Sequence, residues 1–435
     1  VKLAYPTTIL ISALVAGEAL ATDDLNWPEF RGPRGNGVST STGLPTTWSE
    51  TNHVVWKTEI KGRAWSSPVI WGSQIWLSSA TPDGRELYAL CVDRETGKFL
   101  IDKKLFDVAK PQFAHEFNSH ASPTPAIQEG RVYITFGATG TACLDTKTGE
   151  VLWERRDIEC NHFRGAGSSP ILYGGRIYLN FDGSDHQFVV AFDQKTGKTV
   201  WRTERSIDFK DLGPDGKPQN EGDFRKAFAT CRIATFDGVT QLLSQGAGAM
   251  YAYNPVNGEE LWRVEERTSQ AAGTCPAIGG GLVFVPTGWS RGQVLAIRPG
   301  KKGEVVDANA ADQDGSQLHI AWKTKKSVPK KPSLTFYQDL LFAIDDNGVA
   351  TCWEGATGVV VWNERIGGNY SAAPLLADGH LYFFSEEGKA TVVAASRDFA
   401  KLGENLLQDG FMASPAVSGQ ALFLRTKTHL YRIEN

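Results

Sequence analysis

Side chains with binding chemistry cluster in this sequence just ahead of recurring Ser-Pro or Thr-Cys steps. Arg63 and Trp65 precede Ser66-Ser67-Pro68, and His115, Asn118 and His120 precede Ser122-Pro123. His162 and Arg164 lead into Ser168-Ser169-Pro170, Arg225 into Thr230-Cys231, and Arg267 and Gln270 into Thr274-Cys275. Asn369 and Tyr370 stand ahead of Ala372-Ala373-Pro374. Guanidinium forks grip carboxylates and phosphates through paired hydrogen bonds, and His, Asn and Gln add neutral donors and acceptors. Brought to one place, this set suits an anionic or polyhydroxylated ligand. Left apart, the same groups satisfy loop carbonyls and solvate a rim, so the elements that carry them decide between the two.

Other chemistries lack their residues. There is no Ser in a nucleophile elbow and no His-Glu-x-x-His pair. The six Cys include no Cys-x-x-Cys, so zinc and covalent haem have no ligand set, and no metal site is expected. Asp312-x-Asp314-Gly315, within Asp307–Ser316, has Ala310 and Ala321 where an EF-hand register needs acidic ligands. That segment and the Gly/Pro-broken Asp208–Phe224 read as solvated loops. Cys91, Cys143 and Cys352 read as small buried strand residues, whereas Cys231 and Cys275 stand in Thr-Cys pairs of adjacent units. A Cys231–Cys275 bridge is one expectation there and two free thiols the other, depending on whether the units approach closely enough.

The positioning elements are a repeat. CLDTKTGEVLW (Cys143–Trp153), AFDQKTGKTVW (Ala191–Trp201), AYNPVNGEELW (Ala252–Trp262) and CWEGATGVVVW (Cys352–Trp362) are variants of one sentence. Its fixed points are Asp145, Gly149 and Trp153; Asp193, Gly197 and Trp201; Asn254, Gly258 and Trp262; and Gly358 and Trp362. Recurrence at a period of tens of residues marks a copied supersecondary unit, in which recurring residues are scaffold. The apolar run before the acidic residue reads as a strand, Asp and Gly as a turn, and the Trp as a wedge on the next strand. Two further strands around a Gly turn lie upstream, as in SSPILYGGRIYLNF (Ser168–Phe181). One unit is thus four antiparallel strands.

Eight such units start at Ser66, Ser122, Ser168, Thr230, Thr274, Pro332, Ala372 and Ser414. The last stops after its third strand, and VVWKTEI (Val54–Ile60) is a fourth strand without the three before it. A terminal strand that completes the last sheet is how a closed ring hides its edges. The expected fold is all-β: an eight-bladed β-propeller of four-stranded antiparallel blades over residues 54–435, closed by that N-terminal strand. The segments ahead of each Ser-Pro step then line one mouth of its central channel.

The pattern A-x-D-x-x-T-G-x-x-x-W with its Ser-Pro strands resembles the pyrroloquinoline-quinone-like (PQQ-like) propeller repeat, over about Asn26 to Asn435. That superfamily holds quinoprotein alcohol dehydrogenases and the lipoprotein scaffold for outer-membrane barrel assembly. WPEFRGPRGNGV (Trp27–Val38), HASPTPAI (His120–Ile127) and LFLRTKTHLYRI (Leu422–Ile433) resemble the secreted planctomycete-type branch. Dehydrogenase kinship implies PQQ stacked between a Trp and a vicinal Cys pair, with calcium held by Glu, Asn and Asp. Trp65 and Trp289 offer stacking surfaces, but the sequence has no adjacent cysteines to support PQQ with calcium. Catalysts and scaffolds share this fold, so the repeat specifies architecture more than activity.

Composition fits this reading: 435 residues, 41% hydrophobic, with 13 Trp and 45 Gly, are ample for a ring that grows by adding blades. A formal charge of −4 and only short Lys pairs leave nucleic acid without an electrostatic footprint. Lys2, the apolar Thr7–Ala16 and Ala19-Leu20-Ala21 read as a signal peptide (1–21) cleaved after Ala21, too short to span a bilayer, followed by an extension (22–53). The expected protein is a periplasmic or secreted monomer without a transmembrane segment. Its role is that of a non-catalytic scaffold for a small polar or anionic ligand or an envelope protein; the alternative is a PQQ-dependent dehydrogenase of alcohols or sugars.

Overall fold

The computed structural model describes residues 25–310 and 319–435. The apolar Thr7–Ala16 run, the cleavage site and Asp312–Asp314 lie outside the described residues. Within them, the strands pair into eight antiparallel blades arranged as a ring, an eight-bladed β-propeller. The first strands of the blades begin at Val69, Ala126, Ile171, Arg232, Ala277, Thr335, Leu375 and Ala416. First strands of neighbouring blades touch, Val69–Trp71 against both Ala126–Gln128 and Ala416–Ser418, which makes them the inner wall. Closure is by Val54–Glu59, antiparallel to His429–Ile433 with Val54 opposite Ile433 and Glu59 opposite His429.

Burial follows position in the blade. A middle strand such as Gln187–Asp193 packs against sheets on both faces, so five consecutive residues, Phe188 to Phe192, are buried. The outer strand Thr199–Glu204 alternates instead, with Trp201 buried between exposed neighbours. The turn between them is held by Asp193, whose Oδ1 accepts the N–H groups of Lys195 (3.1 Å) and Thr196 (2.8 Å). Asp145 does the same for Lys147 and Thr148, and Asn254 for Val256.

The Trp of one blade docks on the turn of the next. Trp153 donates from Nε1 to Gln194 O at 3.0 Å, and Trp201 to Pro255 O at 3.1 Å. Gly197 has φ +69°, and a Cβ there would lie 2.6 Å from the Trp153 ring; Gly258, at φ +75°, would meet Trp201 at 2.4 Å. Gly358 faces Trp322 in the same way, while Gly149 faces Ile101, which takes the Trp position in the first blade. Trp362 donates to Ser396 O at 3.0 Å. Trp262 departs from the pattern, donating to Gln241 Oε1 of its own blade at 2.8 Å, because an insertion occupies the neighbouring turn.

The insertions bear on two expectations. Glu304–Asp307 runs parallel to Glu260–Glu265 as a fifth strand on the fourth blade; of the Asp307–Ser316 segment only the exposed Asp307 belongs to it, and residues 311–316 lie outside the described residues. Asp208–Phe224 is also structured: Leu212 bridges to Pro218, Asp211 takes two N–H groups of Arg225 at 2.6 and 2.9 Å, and Gly222 packs on Ser184. The Cys231–Cys275 bridge is not formed, all six cysteines being buried free thiols. Cys231 Sγ donates to Asn180 Oδ1 at 2.9 Å, while Cys275 Sγ faces Gly35 O at 3.9 Å. No described helix is long and apolar enough to cross a membrane.

The segment ahead of the closing strand threads across the ring. Trp27 exchanges hydrogen bonds of 2.8 Å with Ile70, Pro28 O accepts Ile127 N, and Glu29 Oε2 accepts Leu172 N. Farther on, Arg31 donates to Leu334 O at 2.7 Å and Val38 bridges Leu376. These partners lie within the first strands of four blades and just ahead of the first strand of a fifth. The segment therefore lies along the inner wall and closes the channel toward the mouth where those strands end.

Candidate functional site

The opposite mouth, where the first strands begin, opens into a cavity of about 560 Å³. Phe30 of the threading segment lines it from below, so the channel is blind. Its walls come from the segments entering the first strands and from the Trp289–Ser290 strand, which pairs with Ser269–Gln270.

Charge on the wall is mainly positive. Arg164, Lys226, Lys330 and Lys331 line the cavity, with Asp223 as the carboxylate among them. Asp223 is ion-paired to Lys226 and lies 3.7 Å from Arg164 Nη2. Lys331 is held by Glu386 at 2.7 Å, whereas Lys330 Nζ rests 4.8 Å over the Trp289 ring. Arg164 Nε and Gln270 Oε1 are buried without a hydrogen-bond partner among the described residues. A cation resting on a ring and buried polar atoms left unpaired in residues that line a cavity are features of a ligand site.

Aromatic groups supply the rest. Trp65 donates from Nε1 to Phe117 O at 3.1 Å, and Phe117 stacks on Trp289 with ring centroids 6.1 Å apart at 16°. Phe117 enters the second blade and Trp289 belongs to the fifth, so the pair reaches across the mouth from blades three apart in the ring of eight. Flat apolar faces beside ammonium groups favour a ligand with an unsaturated or apolar body and an acid group.

Of the residues expected on this rim, Trp65, Asn118, Arg164 and Gln270 line the cavity. Asn118 positions others: its Nδ2 donates to Arg164 O at 2.9 Å and its Oδ1 accepts from Ser119 N and Ser122 Oγ. Arg63 lies beside Trp65, its guanidinium 5.4 Å from the ring, and donates to Glu116 O, and His115 packs at a tilt of 43° on Phe117 with ring centroids 4.2 Å apart; both flank the mouth. The remaining six turn away. His120 covers Gly84, His162 is buried against Phe181, and Arg225 pairs with Asp211. Arg267 pairs with Glu265, Asn369 with Glu387, and Tyr370 is fully buried core. Burial pushes the His162 imidazole down to about 4, so at neutral pH it is an uncharged acceptor.

Sequence reasoning passed over Lys226, Asp223, Lys330 and Lys331. Lys226 follows Arg225 in the stretch ahead of Thr230-Cys231, and the Lys330-Lys331 pair ahead of the sixth blade was the available signal. Asp223 could not be read, because it reaches the cavity through the fold-back of its insertion.

Comparison with known proteins places this architecture. A quinoprotein ethanol dehydrogenase of Pseudomonas aeruginosa is 27% identical over 142 residues, which is 31% of this chain and 21% of the relative's length. The match thus spans about a fifth of that relative. Quinohemoprotein alcohol dehydrogenase from Comamonas testosteroni superposes with a TM-score of 0.65 at 13% identity, covering 96% of this chain and 82% of that one. BamB from Moraxella catarrhalis superposes at 0.57 with 11% identity, covering 87% and 99%. These superpositions establish the fold alone. The family model described as outer membrane protein assembly factor BamB matches residues 48–186, 185–319 and 301–404, and the chain belongs to that family of PQQ-like propellers.

Proposed function

We propose that this protein is an exported, non-catalytic binding propeller that holds an anionic ligand in the blind cavity. The observation that carries the reading is the cavity wall, where Arg164, Lys226, Lys330 and Lys331 line the recess with Asp223 as the carboxylate among the lining residues, beside the Trp65, Phe117 and Trp289 rings. A low-dielectric recess with excess positive charge attracts an acid group, and the rings receive its apolar part. Export rests on the Thr7–Ala16 run and Ala19-Leu20-Ala21, and the kinship with BamB supports an envelope location.

Kinship with quinoprotein dehydrogenases raises PQQ and calcium, and the residues do not fit that pair. The carboxylate available to a divalent ion, Asp223, is already engaged by Lys226 and Arg164. Calcium would enter among four cations, which the hard-oxygen chemistry of its sites opposes. The cysteines are isolated and none lines the cavity.

A thermal-shift and calorimetric panel tests the reading with PQQ, sugar acids, acidic peptides and neutral sugars. The expected result is stabilisation by an anionic member, about 2.7 kcal/mol at a hundredfold excess over its Kd, lost in the double variant R164A/K330A. Equal binding of neutral compounds, indifferent to that variant, would reject it, as would dye reduction by the purified protein with PQQ and calcium. A partner polypeptide on the same face is a second reading. It is favoured by Phe113, Leu212 and Phe224, which are 67%, 59% and 44% exposed on the segments entering the second and fourth blades.

A further inference from the structure

Ser67, Thr124, Ser169, Thr230 and Ser414 occupy one equivalent position, two residues before the first strand of their blades, and all five line the cavity. Their oxygens are joined around the ring. Ser414 N donates to Ser67 Oγ at 3.0 Å, Ser67 N to Thr124 Oγ1 at 2.9 Å, and Thr124 N to Ser169 Oγ at 2.9 Å. Ser169 N donates to Thr230 Oγ1 at 3.0 Å, and Ala373 N to Ser414 Oγ at 2.9 Å. A hydroxyl has two lone pairs and one proton. Each link consumes a lone pair and leaves the proton, and none of the five hydroxyls donates to another group among the described residues. Five hydroxyl donors without acceptors among the described residues therefore line the cavity as an arc over five consecutive blades.

Buried charge around them has the matching sign. Arg425, 3% exposed, donates to Ser66 O at 2.9 Å and Ser78 O at 3.1 Å, next to Ser67. Arg31, 2% exposed in the segment that floors the cavity, donates to Leu334 O and to Thr335 Oγ1 at 2.8 Å. Both spend their hydrogen bonds on neutral acceptors, and each keeps an Nε without a partner among the described residues. Burial lowers them only to about 9 and about 10, so both stay protonated at neutral pH. Glu29, the buried carboxyl of the floor segment, is pushed by burial up to about 8 and is largely uncharged there. Buried positive charge beside the hydroxyl arc is thus left without a counter-charge from the floor.

The geometry points to an oxyanion subsite: neighbouring hydroxyls of this arc, Ser67, Thr124 and Ser169 at its centre, donate to the oxygens of a carboxylate or phosphate group lodged against it, above Phe30. This deepens the anionic-ligand reading and rests on it. The hydroxyls supply directed donors without charge, while Arg31 and Arg425 supply the field from behind them and the wall cations from the mouth. Neighbouring blades show that the position tolerates loss of the hydroxyl, since Cys275 and Ala373 fill it there.

Calorimetry of the full chain with inorganic phosphate, sulfate and benzoate as probes tests the subsite and separates phosphate from carboxylate recognition. At least one probe is expected to bind, with affinity falling about tenfold for each hydroxyl removed in S67A and S169A. F30W fills the space beneath the probe without touching the arc, and is expected to weaken binding while leaving the unfolding midpoint unchanged. If R164A/K330A abolishes probe binding while S67A/S169A and F30W leave it intact, the subsite is wrong and the cavity reading stands. If none of the three probes binds at tens of millimolar, the subsite is overturned, and the panel of larger ligands judges the cavity reading on its own.

Discussion

His162 shows how surroundings turn a candidate ligand into a structural acceptor. Its Nε2 accepts Ala138 N at 3.0 Å, and its ring lies 6.0 Å from that of Phe181 in a place only 6% exposed. Protonation would aim an N–H at an N–H and bury a charge, so burial lowers the folded-state value to about 4 from 6.5. The unfolded chain then binds the extra proton first. This contribution is full above pH 6.5 and is lost as pH falls from 6.5 to 4, on the order of 3 kcal/mol. Urea denaturation at both pH values should show H162N with a smaller acid loss than wild type, and equal losses would refute the assignment. Arg164, two residues on, has the same sequence credentials and lines the cavity. Residue type placed both near the mouth, and only packing separated them.

At the scale of the element, the repeat is a docking device between blades. The motif Gly is required both because its φ is positive and because the preceding Trp occupies its Cβ space. Two variants separate these causes. Gly258→Ala meets φ +75° and Trp201 at 2.4 Å, whereas Gly130→Ala has the same φ of +75° with nothing within 4 Å. Chemical denaturation should put Gly130→Ala near 1 kcal/mol and Gly258→Ala on the order of 3 kcal/mol. Similar losses would show that the Trp contact carries no weight. The Asp-Thr-Gly turn and the Trp were legible because each is a local requirement repeated in register. The parallel strand Glu304–Asp307 was not, since its partner Glu260–Glu265 belongs to the preceding blade and nothing nearby announces it.

The whole molecule is a ring with unequal mouths. One is closed by the segment that includes Trp27, Pro28, Glu29 and Arg31, and the other holds the cavity. A chain lacking residues 25–48 keeps the closing strand Val54–Glu59 and loses the floor. It should retain β-rich circular dichroism but unfold at lower temperature, because burial of Trp27, 2% exposed, is itself worth about 3 kcal/mol. An unchanged midpoint would mean that the segment adds nothing to the ring.

The amino-acid order by itself determined the blade, the number of blades and the closing strand. Those depend on short-range turns, strand alternation and a repeat that can be counted. Tertiary structure alone decided which side chains share a site. Trp65, Arg164, Lys226, Trp289 and Lys330 come from different blades, and their meeting depends on ring curvature and loop fold-back. Asp223 and Phe30 arrive through an insertion and a terminal segment that follow no repeat. A periodic pattern fixes the frame because every copy reports on it, whereas a site assembled once from unlike loops leaves no second copy to read.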